Sequence, residues 1–147
     1  MTNFRKIGEE FFIGPQPTVA DLSEAKRQGI RTVIDFRMPS ETPTSNASLV
    51  KESGLNYVNI PVDKTALSEH QIGELGTTLE ENDGPFLLHC ATGARAAMLL
   101  ALLRARQNGW TAQRTFDEAK AMGFDLRSSP DFMGFVEKVV AVNTPNI

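Results

Sequence analysis

The chain has 147 residues, of which 41% are hydrophobic, and a formal net charge of −3 at pH 7. This length and composition suffice for one domain with a buried core, and we expect residues 1–147 to form a single domain. The near balance of charge, without a Lys/Arg cluster, argues against nucleic acid and an anionic membrane surface as partners.

The residues after Met1 are largely polar or charged, with no apolar signal segment, and the longest apolar run, 96–103, is far too short to span a bilayer. A single cysteine cannot form an internal disulfide, which fits a reducing compartment. We therefore expect a soluble, cytoplasmic protein.

Turn signals and hydrophobic patterning predict strands that alternate with helices through the middle of the chain, with further helices at its end. The predicted strands are residues 5–7, 10–13, 30–36, 57–61 and 85–89. The predicted helices are residues 18–29, 47–53, 68–81, 96–103 and 115–123, and one that begins at Ser129-Pro130. Residues 38–45 read as a loop. The order predicts an α/β fold with a mostly parallel sheet flanked by helices, in which helix 96–103, apolar all round, is the most buried.

The segment His89-Cys90-Ala91-Thr92-Gly93-Ala94-Arg95 joins the apolar strand 85–89 to helix 96–103. A short loop at a helix N-terminus directs backbone N–H groups inward, and the helix dipole adds positive potential, so the field favours a Cys90 thiolate. Gly93 lets the backbone curl, and Arg95 is suited to bind two oxygens of an anion. A lone cysteine beside an apolar strand is by default a small core residue. The glycine, the arginine and the strand-to-helix placement favour a reactive Cys90 instead.

The chain resembles the small dual-specificity branch of the protein tyrosine phosphatase fold. More closely, it resembles the bacterial phosphatase-like domain named after beta-lactamase hydrolase-like proteins, sometimes fused to persulfide dioxygenases. Residues that carry the resemblance are Phe12–Thr18 with Asp21 and Leu22, Gly29–Arg37, Tyr57–Val62 and the loop His89–Arg95. The resemblance implies a tyrosine-phosphatase-like α/β fold, a small anionic sulfur or phosphate substrate, and a persulfide dioxygenase as a partner.

Departures from the phosphatase pattern shift the expected chemistry. Tyrosine phosphatases place five residues between cysteine and arginine, whereas here there are four, Ala91 to Ala94, as in rhodanese-type sulfurtransferases. A shorter loop offers fewer inward N–H groups and less room for a tetrahedral phosphoryl group. Phosphatases usually follow the arginine with Ser or Thr, and this chain has Ala96. Relatives with the short loop often carry Arg directly after the cysteine. This chain has the neutral Ala91 at that position, so the positive field around Cys90 is weaker than in those relatives.

Three functions are therefore open. Sulfur transfer through a Cys90 persulfide is favoured, with thiosulfate or a glutathione persulfide as donor and a thiol as acceptor. A phosphatase would use a phosphocysteine and needs a carboxylic acid, for which Asp63 after strand 57–61 is the best candidate and Asp35 a weaker one. Asp63 is as well explained as a solvated residue of a strand-end turn. An inactive anion-binding module is the third alternative.

Other residues have weaker assignments. We expect His89 to orient the loop rather than transfer protons, with a backbone carbonyl as its partner, and His70 to be exposed. Two histidines and one cysteine make a metal site improbable, and no cofactor is expected. The remaining candidates are Arg37, a substrate guide or a surface ion pair with Glu41; Gln16, a substrate contact; and Thr92, an anion ligand or a helix cap.

Overall fold

Strands and helices alternate along the chain in the computed structural model, which describes residues 1–41 and 46–143. The strands are β1 (Arg5–Ile7), β2 (Phe11–Gly14), β3 (Thr32–Asp35), β4 (Asn56–Asn59) and β5 (Phe86–His89). The α-helices are α1 (Val19–Arg27), α2 (Asn46–Glu52), α3 (His70–Glu81), α4 (Ala94–Asn108), α5 (Ala112–Ala121) and α6 (Pro130–Val140). Short 3-10 turns cover Pro39–Glu41, Leu126–Ser128 and Ala141–Asn143.

The five strands form one sheet in the order β1-β2-β5-β3-β4. Every pairing is parallel except that of β1 with β2, so the predicted mostly parallel sheet is confirmed. The last residues of the parallel strands lie in register, with His89 between Gly14 and Asp35. Because carboxyl ends of parallel strands share one edge of a sheet, the segments that follow β2, β3 and β5 meet there.

Side chains alternate between the two faces of the sheet and separate the core into two layers. Val33 and Leu87 pack with α1 and α2, whereas Ile34 and Leu88 pack with the layer that contains α4. Residues 96–103 of α4 are all buried, as the apolar run predicts. This helix fixes the position of the segment that precedes it, because it is enclosed on all sides.

Local capping explains where the helices begin. Thr18 and Asp21 form the expected capping box at α1, and Ser129 caps α6 with Pro130 as its first residue. The predicted start of α5 at Thr115 is wrong, because the helix begins at Ala112 with Thr111 as its cap. Thr115 is buried inside α5, where its hydroxyl donates to Thr111 O at 2.8 Å. No helix in the part of the chain that the structure describes is long and apolar enough to cross a membrane.

Part of the predicted loop 38–45 forms regular secondary structure. Residues Pro39–Glu41 form a 3-10 turn, and α2 begins at Asn46, whereas residues 42–45 of the prediction lie outside the described residues. The turn and the first residue of α2 follow β3, so both lie at the same edge of the sheet as the segment after β5.

Candidate active site

The Cys90 loop occupies the edge where the parallel strands end. Cys90 directly follows β5, is 1% exposed, and its Sγ accepts a hydrogen bond from Gly93 N at 3.0 Å. α4 begins one residue after Gly93, so the thiol lies at the positive end of a 15-residue helix. The loop therefore provides the inward N–H group and the helix N-terminus that the sequence predicts.

Gly93 allows this geometry because its φ is +106°, in the left-handed region. An added Cβ would lie 2.6 Å from Phe124 Cζ and 3.2 Å from the carbonyl carbon of Gly14. Thr92 Oγ1 accepts from Ala94 N at 3.3 Å, whereas the N-cap residue of α4 is Gly93. The loop is thus closed by its own backbone and by packing on Phe124.

Arg95 is held by Glu41 from the 3-10 turn after β3. Nη1 donates to Glu41 Oε2 and Nη2 to Oε1, both at 2.7 Å, and Nη1 also donates to Val62 O at 2.9 Å. The hydrogen bonds that Arg95 donates to Glu41 raise the pKa of Arg95 against the effect of burial, and the nearby Cys90 raises it further. In return, the bonds from Arg95 lower the pKa of Glu41. The interaction with Cys90 shows that the guanidinium lies beside the thiol.

Arg37 lies behind the site rather than in it. It is 2% exposed, and its Nε and Nη2 each donate to the Asp35 carboxylate at 3.1 Å. Its predicted role as a substrate contact is therefore wrong in this structure, and so is its pairing with Glu41, which binds Arg95 instead. Asp35 is equally buried and is bonded further by Tyr57 Oη at 2.9 Å. Asp35 is therefore a buried structural group and not a proton donor in the cleft.

His89 is fully buried between this pair and the Cys90 loop. Its Nε2 lies 3.3 Å from Asn46 Nδ2, and its Nδ1 lies 3.9 Å from Asp35 Oδ1. Burial lowers the pKa of His89 to about 4, so the imidazole is neutral at physiological pH. A neutral, enclosed ring suits the expected orienting role, and its Nε2 faces the Asn46 amide. His70 is exposed and pairs with Glu74.

Asp63 lies at the mouth of the site and is held by Thr65. Its Oδ1 accepts from the Thr65 hydroxyl at 2.7 Å and from Thr65 N at 2.9 Å. These bonds, with a smaller contribution from Arg95, lower the pKa of Asp63. A general acid must carry a proton before it acts, so this environment works against that role at neutral pH.

A cleft of about 590 Å³ opens at these residues. Its walls come from four segments. They are residues 38–41 without Pro39, residues 62–65, the loop residues Ala91, Thr92, Ala94 and Arg95, and the start of α6 with its cap Ser129 and Phe132. The sequence does not single out the lining residues Lys64, Ser129 and Phe132. Ser129 and Phe132 could not be found there, because only three-dimensional packing brings the start of α6 to the loop. Gln16 is exposed and is not part of this lining.

Two further features bear on the chemistry. The residue after Arg95 in α4 is Ala96, which is completely buried and has no hydroxyl. Within residues 1–41 and 46–143, no three His, Cys, Asp or Glu side chains are grouped so as to hold a metal ion. The Arg95 guanidinium and the Asp63 carboxylate line the cleft, whereas the Cys90 thiol is buried next to its lining residues Ala91 and Thr92.

Comparison with known proteins places the chain in a family. The family model described as the phosphatase-like domain of beta-lactamase hydrolase-like proteins matches residues 3–107. A beta-lactamase hydrolase-like protein of Agrobacterium fabrum is 31% identical over an alignment of 126 residues that covers 82% of this chain and 29% of that protein. The chain spans about a third of the length of the curated relatives it matches.

Solved structures share the fold at lower identity. TpbA of P. aeruginosa superposes with a TM-score of 0.77 and 18% identity, covering 96% of this chain and 88% of TpbA. The core catalytic domain of the PP-IP phosphatase SIW14 from S. cerevisiae, in complex with citrate, gives a TM-score of 0.72 and 22% identity over 92% of this chain and 83% of that domain. The fold is that of the tyrosine-phosphatase-like enzymes. The chain belongs to the phosphatase-like domain family of the beta-lactamase hydrolase-like proteins.

Proposed function

We propose that this domain transfers sulfur through a persulfide formed on Cys90. The observation that carries the proposal is the four-residue spacing between Cys90 and Arg95, across which only a short loop closes on the thiol. Such a loop suits a single added sulfur atom better than a tetrahedral phosphoryl group. Arg95, held by Glu41, supplies a cation beside the thiol for an anionic donor.

The reaction has two balanced steps. The Cys90 thiolate attacks the outer sulfur of thiosulfate, the S–S bond breaks, and sulfite leaves with the electron pair while Cys90 keeps the added sulfur. With an organic hydropersulfide, RS–SH, the same attack gives Cys90–S–SH and the thiolate RS⁻. An acceptor thiolate then attacks the outer sulfur of this persulfide and regenerates the Cys90 thiolate.

The surroundings of Asp63 and Ala96 agree with this chemistry. Sulfite and thiolates leave as stable anions, so neither step requires a proton donor. Asp63 has a lowered pKa, so its carboxylate is ionised at neutral pH. The hydroxyl that helps the cysteine thiolate leave from a phosphoenzyme is missing at Ala96, which weighs against the phosphatase.

A phosphatase is the second candidate, and the comparisons favour it. The family model is described as phosphatase-like, and solved structures with this fold include phosphatases. In this case Cys90 attacks phosphorus, the ester oxygen leaves with a proton from Asp63, and water then hydrolyses the phosphocysteine. Asp63 lines the cleft, so its location suits this role even though its pKa does not.

The test is steady-state turnover with both substrate classes. We expect the wild type to convert thiosulfate and cyanide into thiocyanate and sulfite, with Cys90→Ser inactive, and to hydrolyse an aryl phosphate at background rate. Cys90-dependent phosphate release without thiocyanate would establish the phosphatase instead. Failure of both reactions would support an inactive anion-binding module.

Location and partner are proposed on similar grounds. A thiol nucleophile works only while it is reduced, so we propose a reducing compartment such as the cytoplasm. We also propose that a persulfide dioxygenase consumes the persulfide product, since such an enzyme acts on the group this reaction generates.

A further inference from the structure

Asn46 is a buried polar residue that neither the sequence reasoning nor the proposed reaction uses. It is the first residue of α2 and is 3% exposed. Its Nδ2 lies 3.3 Å from His89 Nε2, and its Oδ1 has no hydrogen-bond partner among the residues that the structure describes. Among residues 1–41 and 46–143, the one side-chain hydrogen bond of this amide connects α2 to the residue directly before Cys90.

The surroundings of His89 determine which ring nitrogen carries the proton. Asp35 Oδ1 lies 3.9 Å from Nδ1, beyond hydrogen-bond distance, and Nδ1 has no hydrogen-bond partner among the residues that the structure describes. Burial raises the pKa of Asp35, but bonds from Arg37 and the other neighbours outweigh it and keep the carboxyl ionised. A negative oxygen on that side favours a proton on Nδ1, which leaves a lone pair on Nε2. An amide N–H donor is the group that complements this lone pair.

We propose that Asn46 is a positioning residue that donates to His89 Nε2 and so holds the imidazole in its Nδ1–H form beneath Cys90. The inference rests on Cys90 being the nucleophile of the proposed function. The alternative ring state would place a lone pair against the Asp35 carboxylate and would leave the Asn46 amide facing another N–H. Either mismatch moves the ring.

The position of the ring matters because His89 and Cys90 are adjacent. The ring interacts with the backbone of Cys90, and His89 O accepts from Phe36 N at 2.9 Å at the end of β5. A shifted ring therefore disturbs the backbone that brings Gly93 N to within 3.0 Å of Sγ. Asn46 thus acts on the thiol through His89 and touches neither the thiol nor the cleft.

The first part of the test observes the unmodified protein. Imidazole nitrogen NMR is well suited because the chain has two histidines, and His70→Gln identifies the signal of His89. We expect His89 to remain neutral with its proton on Nδ1 between about pH 5 and 8. A proton on Nε2, or a charged ring at neutral pH, would overturn the proposal.

The second part measures how fast iodoacetamide alkylates Cys90 as a function of pH, which requires no sulfur donor. Asn46→Ala should mix the two ring forms and slow alkylation by about two- to tenfold, the loss expected for one neutral hydrogen bond. Asn46→Asp keeps the shape of the side chain but places a carboxylate against His89 Nε2. We therefore expect His89 to be charged at neutral pH and alkylation of Cys90 to begin at a lower pH than in the wild type.

Asn82→Ala is the matched control, because it removes a hydrogen bond of 2.9 Å that the Asn82 side-chain amide donates to Thr78 O at the end of α3. Unchanged alkylation and an unchanged His89 ring in both Asn46 variants would refute the inference. Should Asn46→Ala fail to fold, the ring state of the wild type and the alkylation of Asn46→Asp still test the inference. Absence of sulfur transfer in a protein with the expected ring state and alkylation effects would refute the proposed function alone.

Discussion

The guanidinium of Arg95 meets the carboxylate of Glu41 through two bonds of 2.7 Å, between the start of α4 and the turn after β3. Because Nη1 also donates to Val62 O, both of its hydrogens are used and the guanidinium plane is fixed. Glu41 therefore holds the guanidinium of Arg95 in one orientation beside Cys90.

This relationship predicts the effect of Glu41→Gln. The amide cannot accept both guanidinium bonds, so Arg95 should adopt other rotamers and kcat/KM for sulfur loading of Cys90 should fall about three- to tenfold. Glu69→Gln is the matched control, since Glu69 pairs with Arg106 at 3.2 Å on the surface. A gain of activity in Glu41→Gln would mean that Glu41 blocks the anion site rather than shaping it.

Gly93→Ala should damage both stability and activity. A left-handed backbone costs alanine about 1–2 kcal/mol, and the contacts with Phe124 and Gly14 add about 1–3 kcal/mol of overpacking. Gly109→Ala separates these effects, because Gly109 also has a positive φ of +66° but no atom within 4 Å of an added Cβ. Urea unfolding of the two variants provides the comparison. Equal losses of unfolding free energy would show that the close packing of the loop is unimportant.

Asp63→Asn distinguishes the two chemistries. If Cys90 transfers sulfur, the substitution should change turnover by less than about twofold, because no leaving group takes a proton. A phosphatase should lose about 10²–10⁴-fold on an aryl phosphate, the usual contribution of a general acid. Thr65→Ala is the companion variant, since it removes the hydroxyl that holds the carboxylate while leaving the carboxyl in place. A large loss of sulfur transfer in Asp63→Asn would contradict our account of the site.

The buried His89 predicts a pH-dependent stability. Its folded pKa of about 4 lies below the ordinary value of 6.5, so between these values the unfolded chain binds the extra proton. Stability is therefore complete above about pH 6.5 and is lost as the pH falls towards 4. Between pH 7 and pH 5 this loss is roughly 2 kcal/mol of unfolding free energy.

Denaturant unfolding at the two pH values checks this expectation. His89→Gln should be less stable at pH 7 but should lose most of the difference between the two pH values. The exposed His70 provides the control, since His70→Gln should retain the full difference. A wild-type stability that is the same at pH 7 and pH 5 would show that His89 is not held neutral by the fold.

Much of the fold follows from local sequence signals. The strand 85–89, the cap at Thr18 and the apolar run 96–103 each fix an element, and their order along the chain implies a parallel sheet. The start of α5 was mispredicted because Thr115 and Glu118 imitate a capping box while Thr111 supplies the actual cap. Competing caps a few residues apart cannot be ranked without the packing that buries Thr115.

The site was predictable where it is contiguous in sequence. Cys90, Gly93 and Arg95 lie on one loop, so their spacing carries the geometry. Arg37 was misassigned because an arginine at a strand end is usually exposed, and only the tertiary structure buries it against Asp35. Glu41 contacts Arg95 and Asn46 contacts His89, each from more than 40 positions away in sequence. No local sequence pattern predicts such contacts.

The most direct test of the central claim is the intact mass of the protein after exposure to thiosulfate or glutathione persulfide. Sulfur transfer predicts a gain of one sulfur atom on the wild type, absent from Cys90→Ser and removed by cyanide or a thiol. An unchanged mass, together with Cys90-dependent release of phosphate from an aryl phosphate, would contradict the account and make the domain a phosphatase.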